Sequence, residues 1–387
     1  MKVKLGKNKE VRYTFGFDEV SLVPGDITID PEEVDISWKL DSLEFPIPII
    51  ASAMDGVVDV NFAKELGKLG GLAVLNLEGI YTRYENPEVA LNKIIDSPQE
   101  EVINVIQNIY KEPIKENLIS KRIKEMKKHN IIVAVSSTPA KAEKFAIISQ
   151  DAGADIFVVQ STVTTVEYIS SKNISLSFEK FLKKISIPVI VGNCVSYSAA
   201  KKLFSLGISG VLVGVGPGAA CTTRRVLGVG VPQMTAISDV TSAREEYYKK
   251  TKKYISVIAD GGMRVGGDIA KAIAAGADAV MLGSLLASAK ESAGKGYHWG
   301  MATSDKNLPR GTRVKVGIKG TLKEILFGPA KSDDGSMNLI GALRQSLGIC
   351  GARNIKEMHK KVEIVVAPSI NTEGKDLQIQ QRVGMGK

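Results

Sequence analysis

Val189-Ile190-Val191-Gly192-Asn193-Cys194-Val195-Ser196-Tyr197-Ser198-Ala199-Ala200-Lys201-Lys202-Leu203-Phe204-Ser205-Leu206-Gly207-Ile208-Ser209-Gly210-Val211-Leu212-Val213 contains one full repeat of the fold. Val189 to Val191 is apolar at consecutive positions, which suits a strand covered on both faces of a parallel sheet. Ser198 to Leu206 carries apolar residues at helical spacing. Leu206-Gly207-Ile208-Ser209 then supplies a glycine able to take the left-handed conformation that ends a helix and releases the chain into the next strand, Val211 to Val213.

Working outward, the same alternation of strand and helix recurs along the chain. Apolar runs stand at Ile47 to Ile50, Leu72 to Leu75, Ile131 to Val135, Ile156 to Val159, Ser256 to Ala259 and Ala279 to Leu282, making eight with the two above. Amphipathic stretches at Asn61 to Leu69, Ala142 to Ala152 and Ile269 to Ala275 read as crossover helices. The junction signal repeats at Ala152-Gly153-Ala154-Asp155 and Ala275-Gly276-Ala277-Asp278. Eight covered parallel strands predict an α/β fold of the (β/α)8 TIM-barrel type. The 387 residues allow such a barrel, roughly 250 residues, with insertions in one catalytic domain spanning 1–387. Two intervals break the rhythm. Gly79 to Asn130 is polar and predicts one or two helices, over Pro98 to Tyr110 and Pro113 to Lys128. Gly294 to Met337, rich in Gly, Lys, Ser and Asp, predicts a mobile active-site flap over the C-terminal face, with a short helix at Leu322 to Leu326.

Composition narrows the class. The chain is 44% hydrophobic and 24% charged, as for a globular enzyme. Its net charge of +9 is spread without a basic stripe interleaved with aromatics, which favours an anionic small substrate over nucleic acid. Three widely spaced cysteines do not make a disulfide scaffold and fit a reducing cytoplasm. Met1 to Arg12 is charged rather than an apolar leader, and no apolar run approaches the ~20 residues that span a bilayer. Three histidines without metal-ligand spacing argue against a His-based metal centre.

The chemistry concentrates in Val213-Gly214-Val215-Gly216-Pro217-Gly218-Ala219-Ala220-Cys221-Thr222-Thr223-Arg224-Arg225 after the sixth strand. Its small residues allow a tight loop presenting Cys221 over the barrel mouth, with inward carbonyls and amides suited to a monovalent cation or an anion. A second signal is Ile258-Ala259-Asp260-Gly261-Gly262, followed by Met281-Leu282-Gly283-Ser284. Glycine turns after strands seven and eight are the usual phosphate site of such barrels, which leaves Asp260 for ribose hydroxyls.

These motifs resemble those of the IMP dehydrogenase and GMP reductase family. The cysteine loop is followed by Gly228-Val229-Gly230-Val231-Pro232-Gln233 as in both branches. Phe17-Asp18-Glu19-Val20-Ser21-Leu22-Val23-Pro24, Ser52-Ala53-Met54-Asp55 and Gly192-Asn193 agree as well. The resemblance implies a covalent mechanism in which Cys221 attacks purine C2, hydride passes between C2 and a nicotinamide cofactor, and Thr223 assists. It implies substrate contacts at Ser52, Met54, Asn193, Asp260, Gly262, Gly283, Ser284, Gly300 and Met301, and cofactor contacts at Gln160, Ser161, Gly214 and Gly216. It also implies potassium on the carbonyls of Gly216, Gly218 and Cys221, and a homotetramer. The Gly79 to Asn130 interval is too short for the CBS pair that typical IMP dehydrogenases insert there, so the chain resembles the CBS-less paralogue group.

Departures from the pattern bear on the reaction. Ala219 replaces a phosphate-binding serine, Gln160 a cofactor-binding aspartate, and His298 a substrate tyrosine. Ser304 stands where reductases carry a glutamate. Of the water-activating Arg and Tyr pair, Arg313 matches the arginine, with Arg310 second, while Val316 stands in place of the tyrosine. The expected activity is therefore NAD-dependent oxidation of IMP to XMP in guanine nucleotide synthesis. The alternatives are an NADPH-dependent GMP reductase and a catalytically weak nucleotide-binding regulatory paralogue.

Overall fold

A computed structural model describes residues 2–169, 176–300 and 312–367. The readings on Met301, Ser304 and Arg310 fall outside the described residues.

Eight parallel strands close a barrel in chain order. They are β1 (Ile49–Ala51), β2 (Leu72–Asn76), β3 (Ala134–Ser137), β4 (Ile156–Gln160), β5 (Val189–Cys194), β6 (Gly210–Val213), β7 (Ser256–Asp260) and β8 (Ala279–Leu282). Closure comes from β8 against β1, with Val280 opposite Ile49. Every one of the expected strands is present. Apolar side chains from the strands and the surrounding helices form one continuous core, as the runs of consecutive Val, Ile and Leu require.

The junction glycines behave as their sequence signal predicts: Gly153, Gly207 and Gly276 have φ of 96°, 81° and 109°. One strand is shifted. The run Ile131 to Val135 predicts β3 about three residues early, because the Val133 amide is tied to the Asp155 carboxylate at 2.7 Å and serves as the lead-in. The strand itself runs on into Ser136 and Ser137 at the mouth.

The N-terminal end of the barrel is closed by an antiparallel pair, Trp38–Leu40 with Leu43–Phe45. The Trp38 ring stacks on Phe45 at 4.8 Å, fully buried Leu40 lies beside Gly210, and Ser256 Oγ donates to the Lys39 carbonyl. Ligand access is thereby left to the opposite end.

Between β2 and β3 lie three helices, Pro87–Asp96, Val102–Ile109 and Glu116–Lys127, after a 3-10 turn at Ile80–Thr82. The first was not anticipated. Its start signal is present, since the Asn86 side chain accepts from the Glu88 amide and Pro87 occupies the first helical position. Pro98, which the sequence offers as a helix start, instead follows Ser97, the C-cap of that helix.

The described residues within 294–337 include regular structure where a mobile loop is expected. Tyr297–Trp299 and Arg313–Lys315 pair antiparallel as a short ribbon, and the helix Leu322–Phe327 follows, with a capping box from Thr321 and Glu324. Three-residue strands flanked by glycine and lysine carry too little periodicity to be read from sequence.

Candidate active site

The C-terminal ends of the strands surround a cavity of about 690 Å³. Each described residue singled out for substrate, cofactor or cation contact lines it, from Ser52 and Met54 after β1 to Gly300 after the first ribbon strand. The cysteine loop after β6 forms one side, with Thr223 at the start of the helix Thr223–Leu227. Arg313 does not reach this cavity. The expectation that it meets the reacting centre is not fulfilled, because its buried guanidinium points away from the mouth onto the carbonyls of Ile94 and Ile95.

Cys221 is exposed, and its Sγ donates to Thr223 Oγ1 at 3.2 Å. The loop is held from beneath. Arg224 Nε donates to the Val215 carbonyl at 2.9 Å and Nη2 to the Val231 carbonyl at 2.5 Å. Gln233, buried at the start of the helix Gln233–Thr251, donates to the carbonyls of Val213 at 2.6 Å and Asp260 at 3.1 Å. It joins the end of β6 to the end of β7, a role that its place in the family motif does not reveal. Gly214 admits no side chain, since a Cβ there would run into the Asp260 carbonyl oxygen.

Asp260 ends β7 and receives two amide donors on one oxygen, Asn193 Nδ2 at 2.6 Å and Gln160 Nε2 at 3.2 Å. Burial pushes its carboxyl up to about 6, while those two hydrogen bonds favour the ionised form and limit the rise. On the other side, Ser284 Oγ is 2.9 Å from His298 Nε2. Burial lowers the His298 imidazole to about 4, so it is neutral at pH 7. Lys319, which sequence spacing does not single out, also lines the cavity, and its Nζ donates to Asp334 at 2.8 Å and Ser336 at 2.6 Å.

Carbonyl donors alone make up the expected cation set. Gly216 has φ 74°, and the Gly218 carbonyl accepts the Cys221 amide at 3.0 Å. Neutral main-chain oxygens without a carboxylate suit an alkali cation better than a transition metal. No group of three or more His, Cys, Asp or Glu side chains able to hold a metal ion occurs among the described residues.

A closed (β/α)8 barrel with a cysteine-bearing loop after its sixth strand and glycine turns after its seventh and eighth defines the class of barrel to which this chain belongs. A family model described as "IMP dehydrogenase / GMP reductase domain" matches residues 14–375, and the chain belongs to that family. It is 35% identical over 367 residues to an uncharacterized oxidoreductase of Mycolicibacterium smegmatis, covering 92% of this chain and 98% of that one. The inosine-5'-monophosphate dehydrogenase of Methanocaldococcus jannaschii is 28% identical, with 95% of this chain and 96% of that one covered. The crystal structure of an IMP dehydrogenase/GMP reductase-like protein from Corynebacterium glutamicum superposes with a TM-score of 0.89 at 34% identity, covering 95% of this chain and 98% of that one.

Proposed function

We propose that this protein is an IMP dehydrogenase that oxidises IMP to XMP with NAD. The observation that carries the reading is the exposed Cys221 sulfur, 3.2 Å from Thr223 Oγ1, at the edge of the cavity that also holds Asp260.

Cys221 Sγ, as thiolate, bonds to purine C2. Bound NAD supplies the acceptor for the hydride that leaves C2, and the purine stays attached to sulfur as a thioimidate. Water then adds at C2, the carbon–sulfur bond breaks, and the cysteine is regenerated as XMP departs. Thr223, within reach of the sulfur, is suited to relay the proton that the attacking water gives up as it adds at C2. Asp260 in its ionised form accepts from the ribose hydroxyls, oriented by Asn193 and Gln160. Ser284 and the adjacent glycine turns take the phosphate.

Gln160 and Ser161 are suited to NAD. A second cavity of about 350 Å³ is also lined by Ser161 and would take the far half of a dinucleotide. The carbonyls of Gly216, Gly218 and Cys221 would hold potassium and steady the loop. We further propose a single catalytic domain without a CBS module, a flap within 294–337, a homotetramer and a cytoplasmic location. The alignment to the Methanocaldococcus relative extends over 491 positions, more than the 387 residues of this chain, which supports an insertion in that relative that is lacking here. No helix among the described residues is long and apolar enough to cross a membrane.

The test is to incubate the protein with IMP and NAD, with and without potassium, and to follow NADH absorbance in wild type and Cys221→Ala. NADH that is lost in the variant is the expected result. Consumption of NADPH with GMP and no NADH would establish the reductase, and nucleotide binding without either activity would establish the regulatory paralogue.

A further inference from the structure

The ribbon of Tyr297–Trp299 and Arg313–Lys315 has two faces with different partners. Its register sets His298 opposite Val314 and Trp299 opposite Arg313. Side chains alternate along a strand, so the first pair shares one face and the second pair the other. His298 and Val314 line the cavity. Trp299 and Arg313 instead meet the helices inserted between β2 and β3.

Both contacts are buried and polar. The Trp299 indole N–H donates to Tyr110 Oη at 2.9 Å. Tyr110 Oη in turn donates to Asp55 Oδ2, whose carboxylate also accepts the Ile80 amide at 2.8 Å. Asp55 directly follows Met54, a cavity residue, on the β1 loop. Arg313 Nη1 donates to the carbonyls of Ile94 at 2.6 Å and Ile95 at 2.9 Å, and Nη2 to Gln99 Oε1 at 3.3 Å. Ile94 and Ile95 belong to the last turn of the helix Pro87–Asp96, where carbonyls have no partner within the helix and a cation also meets the negative end of the helix dipole. The Tyr297 ring lies 4.7 Å from the guanidinium.

We infer that Arg313 and Tyr110 are positioning residues: from outside the cavity they fasten the ribbon wall to the inserted helices and, through Asp55, to the β1 wall. Arg313 thus acts at a distance from the reacting atoms, and the inserted helices set the spacing between two walls of the nucleotide site. The expected kinetic effect rests on the dehydrogenase reading, whereas the effect on nucleotide affinity does not. A wall displaced by about 1 Å lowers turnover by up to about a hundredfold.

The experiment compares full-length Arg313→Gln, Arg313→Lys and Tyr110→Phe with wild type. Turnover of IMP with NAD, equilibrium binding of IMP and GMP, thermal melting and tryptophan emission are all recorded. Only Trp38 and Trp299 contribute to emission, so Trp38→Phe isolates Trp299; should that background not fold, Trp38 is retained as a signal common to every variant. Arg313→Gln and Tyr110→Phe are expected to lose about tenfold or more in kcat/KM and to bind IMP more weakly, with shifted Trp299 emission and a melting temperature lowered by a few degrees, as the loss of one buried hydrogen-bond partner requires. Arg313→Lys recovers part of the loss, since an ammonium still meets the helix carbonyls. Turnover and affinity within about twofold of wild type in both variants, with unchanged emission, would overturn the inference. If wild type itself turns over no IMP, the dehydrogenase reading fails, while IMP and GMP affinity still decides this one.

Discussion

Asn193 donates its side-chain amide to Asp260 at 2.6 Å, bridging β5 and β7 over the end of the intervening β6. The contact fixes the carboxylate at the cavity floor and presents its remaining lone pairs to a ligand.

Because burial raises the Asp260 carboxyl to about 6, its protonated form favours the folded state, and that contribution is lost as pH rises through about 6. Wild type is therefore expected to lose melting temperature relative to Asp260→Asn between pH 4 and pH 7. Nucleotide affinity moves the other way, since only the ionised carboxylate accepts from two ribose hydroxyls. Wild type should bind IMP more tightly above pH 6 and exceed Asp260→Asn by about 10- to 100-fold at pH 8. Calorimetric titration across pH checks this; equal affinity at pH 8 would remove Asp260 from the ribose site.

Cys221→Ala should lower NADH formation by at least about a thousandfold while leaving IMP binding within a fewfold of wild type. Thr223→Val acts later in the proposed sequence. It should leave the first turnover fast and slow the hydrolytic step by about a hundredfold, so that stopped-flow absorbance shows a burst of NADH followed by a slow steady rate.

Gly214→Ala places a methyl group against the Asp260 carbonyl and Gln233. Rearranging that packed junction costs about 1–3 kcal/mol. The melting temperature should fall and IMP binding weaken with it, because the cysteine loop and the ribose site share this contact.

At the other end of the barrel, Asp278 is buried against Arg244 Nη1 at 2.9 Å, Lys356 Nζ at 2.6 Å, Tyr254 Oη at 2.7 Å and the Val257 amide at 2.8 Å. Burial by itself would raise this carboxyl, but Arg244 and Lys356 outweigh it and hold it below the ordinary value. Its contribution is present above the usual carboxylate range and is lost as pH falls through the depressed value. Arg244→Met leaves the carboxylate short of a buried partner and should destabilise the protein by about 3–5 kcal/mol, read by urea unfolding at pH 7.

Much of the site was legible because barrel topology turns sequence position into spatial position. A residue just after an apolar run lies at the mouth, and the loop around Cys221, the Asp260 turn and Ser284 therefore fall to one cavity on sequence grounds. Contacts made across the barrel were less accessible. The 2.9 Å approach of Ser284 and His298, the Gln233 link to the β7 end, and Lys319 at the cavity all depend on how turns of irregular backbone are aimed. Arg313 shows the limit most clearly, since its neighbours in sequence associate it with the reaction whereas its side chain caps a helix more than two hundred residues earlier in the chain.

The sequence by itself determined the eight strands, their order, the glycine junctions and the loop that carries the cysteine, because each of these is encoded in periodicity and turn chemistry over a few consecutive residues. Only the tertiary structure decided which face of the ribbon meets the cavity, what Arg313 and Tyr110 touch, and how Asn193, Gln160 and Asp260 share hydrogen bonds. Those outcomes depend on side-chain direction and on distances between residues far apart in the chain, which no local pattern records.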